Sequence, residues 1–414
     1  MRIRSTELKQ LTIRNTFASL KYPNYRLWFY GQLVSLAGTW MQNTAQGYLV
    51  YELTGSSAYL GFVGFAAGLP TWLFTLFGGA IADRFPRRTT MIITQSVMMV
   101  LAFILAGMVY TKSIQPWHIV ILAFLLGTAN AFDAPARVSF VAELVDRNDM
   151  TNAIALNATM FNSASIIGPV LAGWAYSEIG PTWCFMLNGL SFLAVITALA
   201  LMKLPRLVPD HKSGTTISQI KQGLRYTTAS PVIRTLILSM GMLSLFGFSL
   251  MTLLPAWTSK ILGGDARMYG LLLSGRGIGA VIGALMIAAL GRTHKRGKLW
   301  TIGNFLIPLS LAAFAMARWL PLSMVTIILM GWSLMVQANT SNALTQTHVS
   351  DELRGRVMSI YTLIFFGGMP LGALLSGTIA EKVGEPYTLL ANAIVLFLFA
   401  GFVRLRLPFV HKLE

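Results

Sequence analysis

A single cysteine, Cys184, stands among 414 residues, so no intrachain disulfide can staple the fold and no cysteine-based metal centre can form. Charge is scarce as well. Asp, Glu, Lys and Arg together make up 11%, where a soluble domain carries about 25%. A soluble globule of this length needs a charged skin that so few residues cannot cover. The 55% apolar content excludes disorder for the opposite reason. No glycine-rich loop ends in Lys-Ser or Lys-Thr, so ATP is not the fuel. The five histidines are scattered, no HExxH pair occurs, and no Ser-His-Asp arrangement is recognisable. No cofactor and no metal are expected. Residues 1–26 are polar and basic, with no apolar stretch leading to a small-residue cleavage site, so a cleaved signal peptide is not expected. The lipid bilayer is the solvent that fits.

What the chain does have is apolar sequence in long blocks. Twelve runs occupy 27–50, 57–82, 89–111, 117–140, 150–177, 182–203, 233–258, 267–291, 299–317, 321–346, 356–381 and 386–407. Most exceed the roughly 18 residues that separate a membrane-spanning helix from a strand. The one long polar interruption, 204–232, contains Pro205, Pro209, Ser213-Gly214 and Pro231. It divides the chain into a cytoplasmic N-terminal segment (1–26), a six-helix bundle (27–203), a cytoplasmic central loop (204–232), a second six-helix bundle (233–407) and a cytoplasmic tail (408–414). The fold class is therefore an all-α membrane protein with twelve transmembrane helices in two pseudo-symmetric bundles. Inside the central loop, Ile217, Ile220 and Leu224 alternate with Lys221 and Arg225 as in an amphipathic helix lying on a membrane; a plain linker fits equally.

The net charge of +17 would suggest nucleic acid in a soluble protein. Here the basic residues cluster between apolar runs. With the N-terminus placed in the cytoplasm, 26 Lys and Arg fall in cytoplasmic segments and five in outer loops. That bias predicts both termini inside and no nucleic-acid partner. The halves also resemble each other. Gly168, Gly173 and Gly180 recur 204 residues later as Gly372, Gly377 and Gly384. Parallel repeats with a binding site between them are a recurrent transporter design.

Several motifs then resemble a known family. Gly79-Ala80-Ile81-Ala82-Asp83-Arg84-Phe85-Pro86-Arg87-Arg88, between runs 2 and 3, resembles the signature loop of the major facilitator superfamily, with Pro86 where glycine is usual. Ile167-Gly168-Pro169-Val170-Leu171-Ala172-Gly173 resembles the helix 5 motif of its drug antiporters, with Ala172 replacing one glycine. Asn130-Ala131-Phe132-Asp133-Ala134-Pro135-Ala136-Arg137, Asn152-Ala153-Ile154-Ala155-Leu156-Asn157 and Leu353-Arg354-Gly355-Arg356-Val357-Met358-Ser359 resemble the subfamily of enterobactin and macrolide exporters. The resemblance implies a secondary exporter of a small organic molecule in an inner, cytoplasmic membrane, driven by protons, and expected to act as a monomer. A lipid or lysophospholipid flippase of the same fold is one alternative. A non-transporting receptor or a membrane enzyme is another, although no acid/base or metal cluster supports an enzyme.

The candidate residues follow from cost. Charged groups inside a bilayer are expensive and mark function by default. Arg276, about nine residues into run 8, is the strongest, either as a receptor for an anionic or carbonyl-rich substrate or as a charge that tunes a proton carrier; snorkelling is the bland alternative. Asp83 with Arg84, Arg87 and Arg88 suggests a latch formed when the cytoplasmic side closes, or a solvated turn that fixes topology. Asp133, four residues before Arg137, is a proton-coupling candidate or one half of a static (i, i+4) pair; Asp83 and His348 are the other titrating possibilities. Amides cost free energy in lipid unless bonded or wetted. Gln42, Asn43, Gln46, Asn157, Asn162, Gln337 and Asn339 thus become cavity candidates or cross-helix bonds, with Trp40, Trp72, Phe161 and Trp332 as aromatic walls. Gly168-Pro169 should bend run 5, and Gly173 allows a close approach. Gly275, Gly279 and Gly283 form a smooth packing face. Together these features predict two lobes that rock about a central site, opening it to each side of the membrane in turn.

Overall fold

The computed structural model describes residues 17–203, 217–290, 296–407 and 411. The remaining parts of the N-terminal segment, central loop and tail, and residues 291–295, lie outside the described residues. Twelve long helices follow the twelve runs: α1 (Pro23–Thr54), α2 (Ser57–Arg84), α3 (Arg87–Tyr110), α4 (Pro116–Leu144), α5 (Met150–Ile179), α6 (Pro181–Leu201), α7 (Pro231–Ile261), α8 (Ala266–Leu290), α9 (Arg296–Met316), α10 (Leu320–His348), α11 (Arg354–Val383) and α12 (Glu385–Arg406). A shorter connecting helix, Ile217–Ala229, precedes α7. Eleven of the described helices are long and apolar enough to cross a membrane. The exception is α1, whose 32 residues carry Gln32, Gln42, Asn43 and Gln46.

Local chemistry sets the helix starts. Proline opens α1, α4, α6, α7, α10 and α12 at the first turn, where its missing N–H has no helical partner to lose. Ser56 and Ser230 cap α2 and α7 by accepting the N–H of Tyr59 and Ile233. The duplication is visible in the backbone. Helices α5 and α11 both span 30 residues, offset by 204, and each ends on a glycine with φ +91°. Only glycine adopts that conformation without strain.

In the first lobe, α2 packs on α4, α1 on α5 and α6, and α3 on α6. In the second, α8 and α9 pack on α10, and α9 on α12. The cores are apolar and close-packed: Tyr25, Trp28 and Phe140 are buried in one lobe, and Trp257, Phe314 and Leu250 in the other. Two π-helical turns, Leu243–Gly247 and Trp257–Ile261, interrupt α7 on either side of Pro255. The connecting helix lies against α11, with Gln222 accepting a hydrogen bond from Arg356. Near the chain start, Lys21 pairs with Asp149 at 2.6 Å, a hydrogen bond that holds its ammonium above the ordinary range.

Candidate transport site

The lobes meet along two helix pairs, α2 with α11 and α5 with α8. Small residues make this approach possible. A Cβ on Gly61 would lie 2.7 Å from the carbonyl oxygen of Ala373, and one on Gly173 would lie 2.7 Å from that of Ala266. Gly270 faces the Pro169 carbonyl oxygen, and Ser274 Oγ donates to the Ile166 carbonyl at 2.6 Å. Charged ties occupy the end of the seam away from the chain termini. Glu381 of α11 accepts from Ser56 Oγ (2.9 Å) and from the Ala58 N–H (3.2 Å), so it caps α2 from the opposite lobe. Glu385, 3% exposed, accepts from Ser57 Oγ at 2.7 Å and pairs with Lys260 at 3.0 Å. The Lys260 ammonium also lies 5.7 Å from the Tyr51 ring of α1, and Arg267 pairs with Glu178. These cross-lobe hydrogen bonds and ion pairs, with the Ser274–Ile166 bond, lie between the outer helix ends and mid-helix.

Midway along the seam, Arg276 reaches from α8 toward α1. It lies ten residues after Ala266, about 15 Å along the helix. Its guanidinium carbon is 5.9 Å from the Trp40 ring, which meets Phe161 of α5 edge-on at 5.7 Å. Its Nε is buried without a hydrogen-bond partner, and it forms no ion pair among the described residues. Phe161 is 50% exposed. Asn43, exposed, lies between Trp40 and Gly47 on one face of α1, and Gly47 fronts Tyr269 of α8. A cation and two aromatic surfaces thus converge from both lobes, with an exposed amide on the Trp40 face of α1.

The chain matches the family model described as transmembrane secretion effector over residues 14–414. It belongs to that family. The protein is a transporter of the major facilitator superfamily and a multi-pass membrane protein, not an enzyme. It is 25% identical to the staphyloferrin A transporter of Staphylococcus aureus, over 87% of this chain and 90% of that one. It is 26% identical to the multidrug efflux pump Tap of Mycolicibacterium fortuitum (93% and 96%) and 25% identical to an enterobactin exporter of Salmonella choleraesuis (86% and 85%). Among solved structures, a bacterial homologue of the lysosomal transporter Spinster in an inward-facing conformation has the same fold. Its TM-score is 0.75 at 13% identity, covering 94% of this chain and 98% of that one.

Within this fold the predicted residues separate into two groups. Arg276, Trp40 and Phe161 come together at the seam, and Asn43 is exposed on the Trp40 face of α1. Asn162 shares the α5 face of Ile166, Pro169 and Gly173 that meets α8, and Asn157 sits one turn before Phe161, half-buried. Other amides stay inside their own lobes, and Gln42 finds a direct partner there. Gln42 accepts from Asn188 of α6 at 2.6 Å. Gln46 is buried on α1, Gln337 is wholly buried against Gly303 of α9, and Asn339 continues the α10 face that packs on α8. Gly168 lets α1 approach α5 at Trp40, whereas Gly173 sits at the seam. Gly275, Gly279 and Gly283 face α10, and Trp72 packs on Gly367 across the seam.

The acidic candidates occupy the first lobe. Asp133, 1% exposed, accepts from Thr94 Oγ1 (2.9 Å) and Gln95 Nε2 (3.0 Å) of α3, and its second oxygen is 3.4 Å from Arg137 Nε. The Asp83 side chain lies outside the described residues. Arg84 is exposed, Arg87 pairs with Glu143 of α4 at 2.5 Å, and Arg88 donates to the Ala200 carbonyl of α6. A cavity of about 530 Å³ lies between α2, α3 and α4, lined by Thr90, Thr94, Val97 and Phe132 among others; none of the candidate residues lines it. Sequence reasoning missed Glu381, Glu385, Lys260 and the Glu178–Arg267 pair. The available signal was their position, at the outer helix ends where charge is sparse.

Proposed function

We propose that the protein exports a small organic molecule across the cytoplasmic membrane by alternating access, in exchange for protons, as a monomer with both termini in the cytoplasm. The observation that carries this reading is the asymmetric seam. Two lobes joined by charged ties at one end, with an unpaired cation at mid-depth, form a site that opens toward the termini. The 26-to-five basic bias supports placing that end in the cytoplasm. In this orientation the conformation is inward-facing. The names of the relatives, a siderophore transporter, a multidrug pump and a siderophore exporter, support outward export of organic cargo. One charge crossing 100 mV releases about 2.3 kcal/mol, enough for a roughly fifty-fold gradient.

In this scheme the turn holding Asp83, Arg84, Arg87 and Arg88 is the inner latch, which engages when the cytoplasmic ends close. Asp133 with Arg137 is the coupling pair inside the first lobe. Purified protein in proteoliposomes under an imposed pH gradient should drive flux of a siderophore, macrolide or dye that an uncoupler abolishes. Gradient-independent flux for every class sinks the antiport reading. Asp133→Asn keeps the shape and removes the titratable group. Gradient-driven flux should fall at least about tenfold while substrate exchange without a gradient continues. Unchanged gradient-driven flux assigns Asp133 to a static tether.

A further inference from the structure

Resting on the exporter reading, we infer that the cargo is an organic anion with a flat apolar or aromatic portion, its oxyanion held by Arg276 and its ring by Trp40 and Phe161. The argument starts from what Arg276 lacks. A guanidinium offers five donors and cannot shed its charge in a protein. Charges withdrawn from water are otherwise paired or neutralised; Arg276 is half-buried, no carboxylate from either lobe meets it among the described residues, and its enclosed Nε–H has no acceptor. Its neighbours are aromatic: Trp40 at 5.9 Å, and Tyr269 two turns earlier on the same face of α8.

A cation over an aromatic face gains only part of what it loses on leaving water. A carboxylate or comparable oxyanion on the fork supplies the missing acceptors and the missing charge together. Selectivity has the same origin. A cationic cargo meets like charge with no carboxylate to offset it, and a neutral one leaves the guanidinium unsatisfied. The position adds a functional consequence. Trp40 and Phe161 belong to one lobe and Arg276 to the other, so an anion bound among them is held by both.

The test uses three probes of one shape and different charge: 1-naphthoate, 1-naphthamide and 1-naphthylmethylammonium. Each is titrated into the purified protein in phosphatidylcholine nanodiscs, and the unfolding midpoint is read, since a ligand that binds only the folded state raises it. Naphthoate should raise the midpoint, the amide less, and the ammonium not at all. Arg276→Gln should weaken naphthoate binding by about ten- to a hundredfold, the range of a charge-assisted hydrogen bond. Arg276→Lys should keep part of the response, which separates lost charge from lost fold. Equal stabilisation by the ammonium, or a wild-type response in Arg276→Gln, overturns the inference. Gradient-driven flux of the ammonium without flux of naphthoate overturns the anion and leaves the exporter standing. Gradient-independent flux of all three overturns both.

Discussion

Gly270→Leu is expected to lower net transport by about a hundredfold while the protein still inserts and folds. Gly270 sits where α8 crosses α5. A Cβ there runs into the Pro169 carbonyl oxygen and comes within 3.3 Å of the Gly173 Cα. Both obstacles are backbone, so no rotamer change relieves the clash, and the leucine must push the helices apart. Overpacking of this kind costs about 1–3 kcal/mol or more. Here the cost falls on one conformation only, because the two helices belong to different lobes. A penalty near 3 kcal/mol shifts a two-state equilibrium by roughly a hundredfold, which in an alternating cycle removes the state that loads cargo. The lone native Cys184 is buried and makes a quiet background. A cysteine placed at Ser274, one turn away and buried at the seam, should resist a membrane-impermeant maleimide applied from outside in the parent. It should react in the Gly270→Leu background. Gly401→Leu serves as control, since nothing lies within 4 Å of a Cβ at that position. Full transport and a protected Ser274→Cys in the Gly270→Leu protein would show that the α5–α8 crossing is not what closes the outer side.

The helices were legible because the bilayer imposes one demand on every segment: about 20 apolar residues with no backbone group left unpaired. Predicted runs and observed helices agree to within a few residues at most ends, as with 57–82 against Ser57–Arg84. The extensions, such as α1 reaching Thr54 beyond residue 50, are polar turns that a hydropathy pattern does not register. The repeat was legible through its glycines, since a φ of +91° at both Gly180 and Gly384 restricts what can stand there. The π turns of α7 were not, because they depend on packing rather than on composition. The site was half legible. Arg276 announced itself by cost, and Trp40 and Phe161 by type. The amides divided unpredictably, because Gln42 finds Asn188 across 146 residues while Asn43, its neighbour, stays exposed. Arg87 likewise pairs with Glu143, 56 residues away. Such partners share no local pattern, and a lone glutamate at a helix end reads as solvated until the opposite lobe is in place.

At the outer end, Lys260→Met is expected to tip the protein toward the outward-open state and to slow transport by about five- to a hundredfold. Glu385 is buried and depends on two donors, Lys260 at 3.0 Å and Ser57 Oγ at 2.7 Å. Removing one partner of a fully buried ion pair costs about 3–5 kcal/mol, because the other charge is stranded. Lys260 is 45% exposed, so water screens part of the pair and about 1–3 kcal/mol is the fitting range. Again the loss falls on the closed form. Lys260 and Glu385 share the second lobe and Ser57 belongs to the first, so parting the lobes removes the Ser57 donor and lets water reach a carboxylate that Lys260→Met has stranded. Glu385→Gln in the same chain should reverse the defect, since a neutral amide needs no counter-charge and still accepts from Ser57. Nitroxide labels at exposed Leu53 and Tyr387, on opposite lobes, read the separation directly by pulsed dipolar spectroscopy. The distance distribution should gain a longer population in Lys260→Met and recover in the double variant. A distribution identical to the parent would show that Lys260 and Glu385 share a salt bridge without governing the outer seam, and rescue failing with Gln would show that lysine acts by packing on Tyr51 instead.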